Sequence, residues 1–309
     1  MITDCAADIC KQHVGESWVK RFRKRHQDLK VHWTTGLEQC RAQALNPTTV
    51  NGYFQMLGEL IEKYSILPQN TWNMDEKGVQ PGIGERIAAF VDRDAKVIYQ
   101  VENGNRELVT IIEAVCADGR ALHPSVIYQG QCRDLEWGRN NPCKASISYS
   151  PKGWTDQDLG FKWLERDFEP ATRPTYDGYR LLILDGHNSH CTYRFCKFAA
   201  DHKIIIICLP SHTTHVLQPC DVGVFGPLAK CWKAEVNAAS AQLIPITKHN
   251  LLIYYDNARR RSLKSSTIQA AFAKTGIWPF NPNAIPAVAF APSLLTTTKS
   301  ALPLGAVYP

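Results

Sequence analysis

Three aspartates and five histidines crowd into residues 179–227 of this 309-residue chain, a density of polar groups beside apolar runs that asks for a chemical reason. Leu181, Leu182, Ile183 and Leu184 form a short apolar run that ends on Asp185 and Gly186, the pattern of a strand buried on both faces. A carboxylate turned into the core there would be costly unless paired, so Asp185 is expected to face a cation or a polar cleft. Asp221 follows in QPCDVGVF, with 35 residues between the two acids. His187 and His190 follow Asp185, and His212 and His215 precede Asp221. Two H-x-x-H pairs brought together would suit a zinc ion, although i, i+3 pairs in loops have no fixed geometry. Asp75, in NMDEKG, reads by itself as a turn or surface residue. If that run is a strand, Glu76 points to the opposite face.

The elements needed to bring Asp185 and Asp221 together are legible nearby. Between the run at 181–184 and a second apolar run at 204–209 lies about one helix of chain and no hairpin turn. Strand, helix and strand in that order make a right-handed parallel unit, whose functional groups collect at the carboxyl ends of the strands. The two aspartates are therefore expected to converge on one crevice. Upstream, ERIAAFVD, KVIYQ, ELVTIIEAVC and LHPSVIYQG are strand-like runs punctuated by Gly, Asn and Asp, which suggests an antiparallel meander. Residues 131–153 read as loop. Asn46-Pro47 starts a helix whose apolar positions run from Val50 to Tyr64. Thr155 and Asp158 form a capping pair for a helix through Leu159, Trp163, Leu164 and Phe168. Phe225, Leu228, Ala229, Trp232 and Val236 mark another amphipathic helix, and a further one is expected over 266–274, before the turn TGIWPFNP.

Composition sets the class. Length suffices for one large core and a smaller accessory domain. No apolar run reaches the ~18–20 residues that span a bilayer and the first residues lack a signal-peptide pattern, so a soluble intracellular protein with no membrane partner is expected. Eleven cysteines without a C-x-x-C pair point to reduced, mostly buried thiols. The net charge of +6 permits a polyanionic partner. GESWVKRFRKRH sharpens that: Trp18, Phe22 and His26 recur at i, i+4, i+8, while Lys20, Arg21, Arg23, Lys24 and Arg25 fill most other positions. Such a helix is either a solvated basic one or one docked by its aromatics and offering cations to phosphates. RRRSLK, from Arg259, is a second basic cluster.

A few antiparallel strands, a helix, then strand–helix–strand with acids at the strand ends is the order of an RNase H-like α/β fold, a mixed sheet flanked by helices. NMDEKG, VCADGRALHPSVIYQG, LLILDGHNSH and LPSHTTHVLQPCDVGVFGPL resemble the DDE endonuclease domain of pogo-like transposases of the mariner superfamily. GESWVKRFRKRH resembles the end of the centromere-protein-B-type helix-turn-helix that precedes this domain, and TGIWPFNP the motif that follows it. The resemblance covers roughly residues 10–283, and an Asn at 188 stands where the family more often has Gly. It implies a catalytic and metal-binding trio of Asp75, Asp185 and Asp221 holding two Mg²⁺ or Mn²⁺ ions, with Asp rather than Glu third, as is usual in the pogo-like branch. His190 and His215, with His187 and His212 as neighbours, would then hydrogen-bond near the site or touch the DNA backbone.

The implied organisation is a partial helix-turn-helix at 1–35, a helical linker at 36–68, the endonuclease domain at 69–240, a helical extension at 241–283 and a disordered tail at 284–309. Relatives carry a further helix-turn-helix upstream, so the chain is expected to begin inside or just before the second one. The implied function is metal-dependent cleavage and strand transfer of double-stranded DNA, transposon ends and target, in the nucleus, with homodimers or larger assemblies usual in the family. A catalytically inactive or domesticated DNA-binding derivative of a transposase is the rival reading. A zinc module built on the four histidines is a weaker one.

Overall fold

The computed structural model describes residues 6–7, 9–27, 44–84, 104–132, 134–186, 192–291 and 293. The strands expected at 85–100 lie outside these residues, as do His187, Asn188 and His190, residues 28–35 of the basic segment and 294–309 of the tail. The chain divides into two compact units, Met1–Glu38 and Gln39–Pro309.

In the first unit, α1 (Glu16–Arg25) carries the expected aromatic stripe. Trp18 and Phe22 stack at 4.9 Å between ring centroids and Phe22 meets the His26 ring at 4.4 Å. Lys20, Arg21, Arg23, Lys24 and Arg25 are all exposed.

The second unit is built on a six-stranded mixed sheet in the order β4-β3-β2-β1-β5-β6. Its strands are β1 (Thr71–Val79), β2 (Val109–Cys116), β3 (Ser125–Gln129), β4 (Ser146–Ser150), β5 (Arg180–Leu184) and β6 (Ile204–Cys208). β1, β2 and β3 pair antiparallel in sequence, β2 and β3 being the last two of the four runs expected to form a meander. β5 runs parallel to both β1 and β6, and the crossover between β5 and β6 carries the helix Tyr193–Asp201. Successive side chains alternate between faces, which divides the core in two. Ile111, Val115, Leu181 and Ile183 pack under the C-terminal helices. Trp72, Met74, Ile112, Ala114, Leu182 and Leu184 pack on the other face with Leu164 and Phe168.

Helix α2 (Pro47–Lys63) starts where Asn46-Pro47 predicts, the Asn46 side chain accepting from the Thr49 N–H at 2.9 Å. Three expectations need correction. The stretch 131–153 contains β4, paired parallel to β3; SISYS is a short edge strand with little apolar content, so periodicity barely marks it. The helix at 157 is capped by Asp156, which accepts from the Leu159 N–H at 2.8 Å, not by Thr155. That helix, α3 (Gln157–Trp163), widens into a π-helical turn over Leu164–Phe168. The stretch from 284 starts packed rather than loose, with Ile285 buried in the main cluster.

Downstream, a π-helical turn over Cys220–Val224 leads into α7 (Phe225–Ala241), counting the helices Glu169–Thr172, Tyr193–Asp201 and Thr214–Leu217 as α4 to α6. Then come α8 (Leu251–Ser262) and α9 (Ser265–Lys274). Gly223 lets the π-helical turn lie against α9: a Cβ there would sit 2.5 Å from the Ala271 Cβ and 2.9 Å from its Cα. The RRRSLK cluster is absorbed by ion pairs. Arg259 reaches Glu113, Arg260 reaches Asp256, and Arg261 reaches Glu235.

Candidate active site

The three aspartates come from elements packed on one face of the sheet. β1 and β5 pair in register through Asn73 and Ile183, so two residues further on Asp75 lies level with Asp185, just past the end of β5. Neighbouring strands are about 4.8 Å apart, and both residues share the face of Ile183 and Ile111 by alternation. Asp221 sits in the first turn of the π-helical segment, not at a strand end as expected, because the chain turns helical directly after β6 and α6. That segment packs on the same cluster through Cys220 and Val224.

The charges of the other two aspartates reach Asp75. Burial pushes the Asp75 carboxyl well above the ordinary carboxylate range, and the Asp221 charge pushes it further; the Glu76 N–H, donating at 2.8 Å, pulls it back, and Asp185 and Glu76 raise it again. Cys220 has no exposed surface, and its thiol is raised by burial first and then by Asp75, Glu113 and Asp221. Among the described residues, no three His, Cys, Asp or Glu side chains form a ready-made metal cage.

One residue ties the three elements together. Asn73 is fully buried in β1. Its Nδ2 donates to the Ile183 carbonyl of β5 at 2.9 Å, and its Oδ1 accepts from the Cys220 N–H at 2.9 Å. Gln218, also fully buried, reaches the Met74 carbonyl at 3.5 Å. Sequence reasoning misses both amides. The available signal is an Asn between Trp72 and Met74: a polar side chain within an apolar strand must find partners.

Of the remaining expected site residues, two fall among the described ones. His212 is exposed, with a left-handed backbone at φ 62° after β6, and His215 lies half-buried in α6. His187 and His190 fall outside the described residues.

Next to Asp75 across the β1–β2 ladder stands Glu113, its register partner. Glu113 is fully buried. Its Oε1 accepts from the Tyr255 hydroxyl at 2.7 Å and the Arg259 Nε at 2.9 Å, and its Oε2 accepts from Arg259 Nη2 at 3.1 Å. Arg259 also donates to the Leu122 carbonyl.

The DDE superfamily endonuclease family model matches residues 105–272. The chain is 32% identical over 226 residues to the MFS-type transporter clz9 of Cochliobolus lunatus, covering 72% of this chain and 25% of that protein. It is 24% identical over 218 residues to the pogo transposable element with KRAB domain of Mus musculus, covering 71% of this chain and 35% of that one. The chain thus spans about a quarter and a third of these two curated relatives. Among solved structures it resembles a pre-cleavage Mos1 transpososome, with a TM-score of 0.57 at 10% identity over 96% of this chain and 74% of the other. The Mos1 mariner paired end complex with Mn gives 0.56 at 12% identity over 89% and 71%. At those identities the structural likeness is one of fold: the RNase H-like mixed sheet flanked by helices. Among the described residues no helix is long and apolar enough to cross a membrane. With the endonuclease family model spanning more than half the sequence, the chain belongs to the DDE superfamily endonucleases.

Proposed function

We propose that this chain is a transposase-type DNA endonuclease whose site is Asp75, Asp185 and Asp221, acting with two divalent cations, Mg²⁺ or Mn²⁺. The observation that carries the reading is the register that sets Asp75 level with Asp185 on adjacent parallel strands, with the charges of Asp221 and Asp185 both reaching Asp75. Oxygen ligands of this kind suit hard divalent ions, so the donor set fits the metal.

Asp75 and Asp185, on adjacent parallel strands, would hold the ions from the sheet, and Asp221 from the helical side. When bound, such a pair of cations activates the attacking oxygen and stabilises the leaving one. In cleavage a water oxygen would bond to phosphorus while the bond from phosphorus to the 3′-oxygen breaks; the water gives up a proton to solvent and the departing 3′-oxygen takes one up from solvent, leaving a 3′-hydroxyl and a 5′-phosphate. In joining, that 3′-hydroxyl takes the place of water. The sheet contributes stiffness: short Asp side chains on a buried strand end keep oxygen positions within narrow tolerance. The exposed cations of α1 supply sequence-independent phosphate contacts, with double-stranded DNA as partner, a homodimer on two DNA ends as the working assembly, and the nucleus as the compartment. The segments 1–35, 36–68, 69–240, 241–283 and 284–309 are proposed as DNA-binding, linker, catalytic, helical-extension and tail regions. The transporter name of the fungal relative belongs to a protein of which the match covers 25%, and no transport function is proposed.

The rival, a DNA-binding scaffold without catalysis, draws on the lack of a preformed metal cage among the described residues. Nicking of supercoiled plasmid in Mg²⁺ or Mn²⁺ separates the two. Nicking that falls below detection in Asp185→Ala, with DNA binding intact, supports the enzyme. A wild-type protein that binds DNA and never nicks it would leave the scaffold.

A further inference from the structure

Asn73 occupies an unusual place in the chain's wiring. It precedes Asp75 by two residues, bonds to a carbonyl two residues before Asp185, and accepts from the N–H immediately before Asp221. A single planar amide therefore touches all three elements that carry the acids. We propose that Asn73 is a positioning residue for the divalent-cation site, holding Asp75, Asp185 and Asp221 at a fixed spacing against their own repulsion; this rests on the metal-dependent reading above.

The chemistry of the head group explains the residue type. The Ile183 carbonyl needs a donor and the Cys220 N–H needs an acceptor, and an amide offers both from one rigid plane. The Cys220 N–H opens a helical turn, where backbone donors lack intrahelical partners. No side chain of the turn itself caps it, so Asn73 satisfies that donor from the strand. Aspartate would lose the donor and add a fourth charge, leucine would lose both bonds, and serine would reach too short. Gln218 gives a second and longer tie, 3.5 Å from the same strand at Met74, and its buried Oε1 finds no hydrogen-bond partner among the described residues. The accurate contacts are Asn73's.

The mutual repulsion makes a tether consequential. Carboxylates brought close together repel one another, so slack in the ties between β1, β5 and the π-helical turn would let Asp221 move away from the sheet. A preset spacing removes that reorganisation from the cost of binding an ion.

The test titrates Mn²⁺ into the full chain and follows free Mn²⁺ by electron paramagnetic resonance, beside nicking as a function of Mn²⁺. Wild type is compared with Asn73→Ser, Asn73→Thr, Asp185→Asn and Leu164→Ala, each first checked for a native near-ultraviolet spectrum. Threonine, a good strand former, serves where serine does not fold. Leu164→Ala destabilises the opposite face of the sheet, where Leu164 is fully buried, and controls for loss of stability alone. Partners that orient metal ligands typically matter 10- to 100-fold in affinity. The Asn73 variants should therefore bind Mn²⁺ about 10- to 100-fold more weakly. They should need correspondingly more Mn²⁺ for half-maximal nicking and approach the wild-type maximum at saturation, while Leu164→Ala binds normally. Wild-type Mn²⁺ affinity in both Asn73 variants, or an equal loss in Leu164→Ala, would overturn the positioning role and leave the metal-dependent reading standing. A wild type that binds no Mn²⁺, indistinguishable from Asp185→Asn, would overturn both.

Discussion

Glu113 and Asp75 face each other across the β1–β2 ladder, two carboxylates on one sheet face with opposite treatment. Glu113 is enclosed by Arg259 and Tyr255 and accepts three good hydrogen bonds. Asp75 is offered one backbone N–H and otherwise the charges of Asp221, Asp185 and Glu76. The same low-dielectric surroundings strengthen attraction in the first case and repulsion in the second. A carboxylate fully compensated by its own fold is structural. One reached instead by the charges of other carboxylates, one strand away, is the one the proposed cation site would use.

The sharpest way to break this contrast is to remove the compensation. Glu113→Ala leaves the Arg259 guanidinium largely buried without its counter-ion, a kind of change that costs about 3–5 kcal/mol. Urea unfolding should show that loss. A variant within about 1 kcal/mol of wild type, the size of an exposed pair, would mean that Glu113 does not anchor the sheet to α8.

The opposite change at Asp75 should have the opposite sign. Asp75→Asn removes the repulsion, and substitutions that relieve a strained functional site commonly gain about 0.5–2 kcal/mol while function is lost. The pH dependence follows from the direction of the shift. Folding raises the Asp75 pKa, so between its unfolded value, near 3.9, and its higher folded value the native state holds more protons than the unfolded one. Stability from this group therefore falls as pH rises through that window. The stability gap between Asp75→Asn and wild type should be small in acid, widen toward neutral pH, and shrink or reverse when Mn²⁺ is added. A gap that stays constant with pH would show that Asp75 ionisation is not what strains the site.

Much of this layout is readable in the chain. The four apolar residues before Asp185 and the crossover to 204–209 mark β5 and β6, because a run too short for a helix and closed by Asp-Gly fits a strand buried on both faces. Asp75 is readable only by resemblance, since an acid in an extended run looks like surface until its neighbour across the sheet is known. Asp221 is placed by motif, but its helical setting is not, because nothing in QPCDVGVF distinguishes a turn from a strand end. The Asn73 amide and the Glu113–Arg259 pair stay hidden for a common reason. Each joins residues more than a hundred positions apart, 110 and 146 respectively, and local pattern carries no information about such partners.

The smallest effects separate the two basic clusters, alike in composition and unlike in setting. In RRRSLK, Arg260 and Arg261 lie mostly in solvent and pair with Asp256 and Glu235. Exposed pairs of this kind contribute about 0–1 kcal/mol, so Arg260→Ala and Arg261→Ala should barely move the unfolding midpoint. Their charges are already matched by carboxylates, so neither change should alter how DNA binding depends on salt. The cations of α1 are exposed, and each phosphate they neutralise adds about 0.9 to the slope of log affinity against log salt. Lys24→Ala with Arg25→Ala should therefore flatten that slope by up to about 1.8, two such contacts, and leave Mn²⁺ binding at the acidic site unchanged. If the Arg260 and Arg261 variants flattened the slope instead, the phosphate-contacting face would belong to α8, and the ion pairs seen there would be ones that DNA displaces.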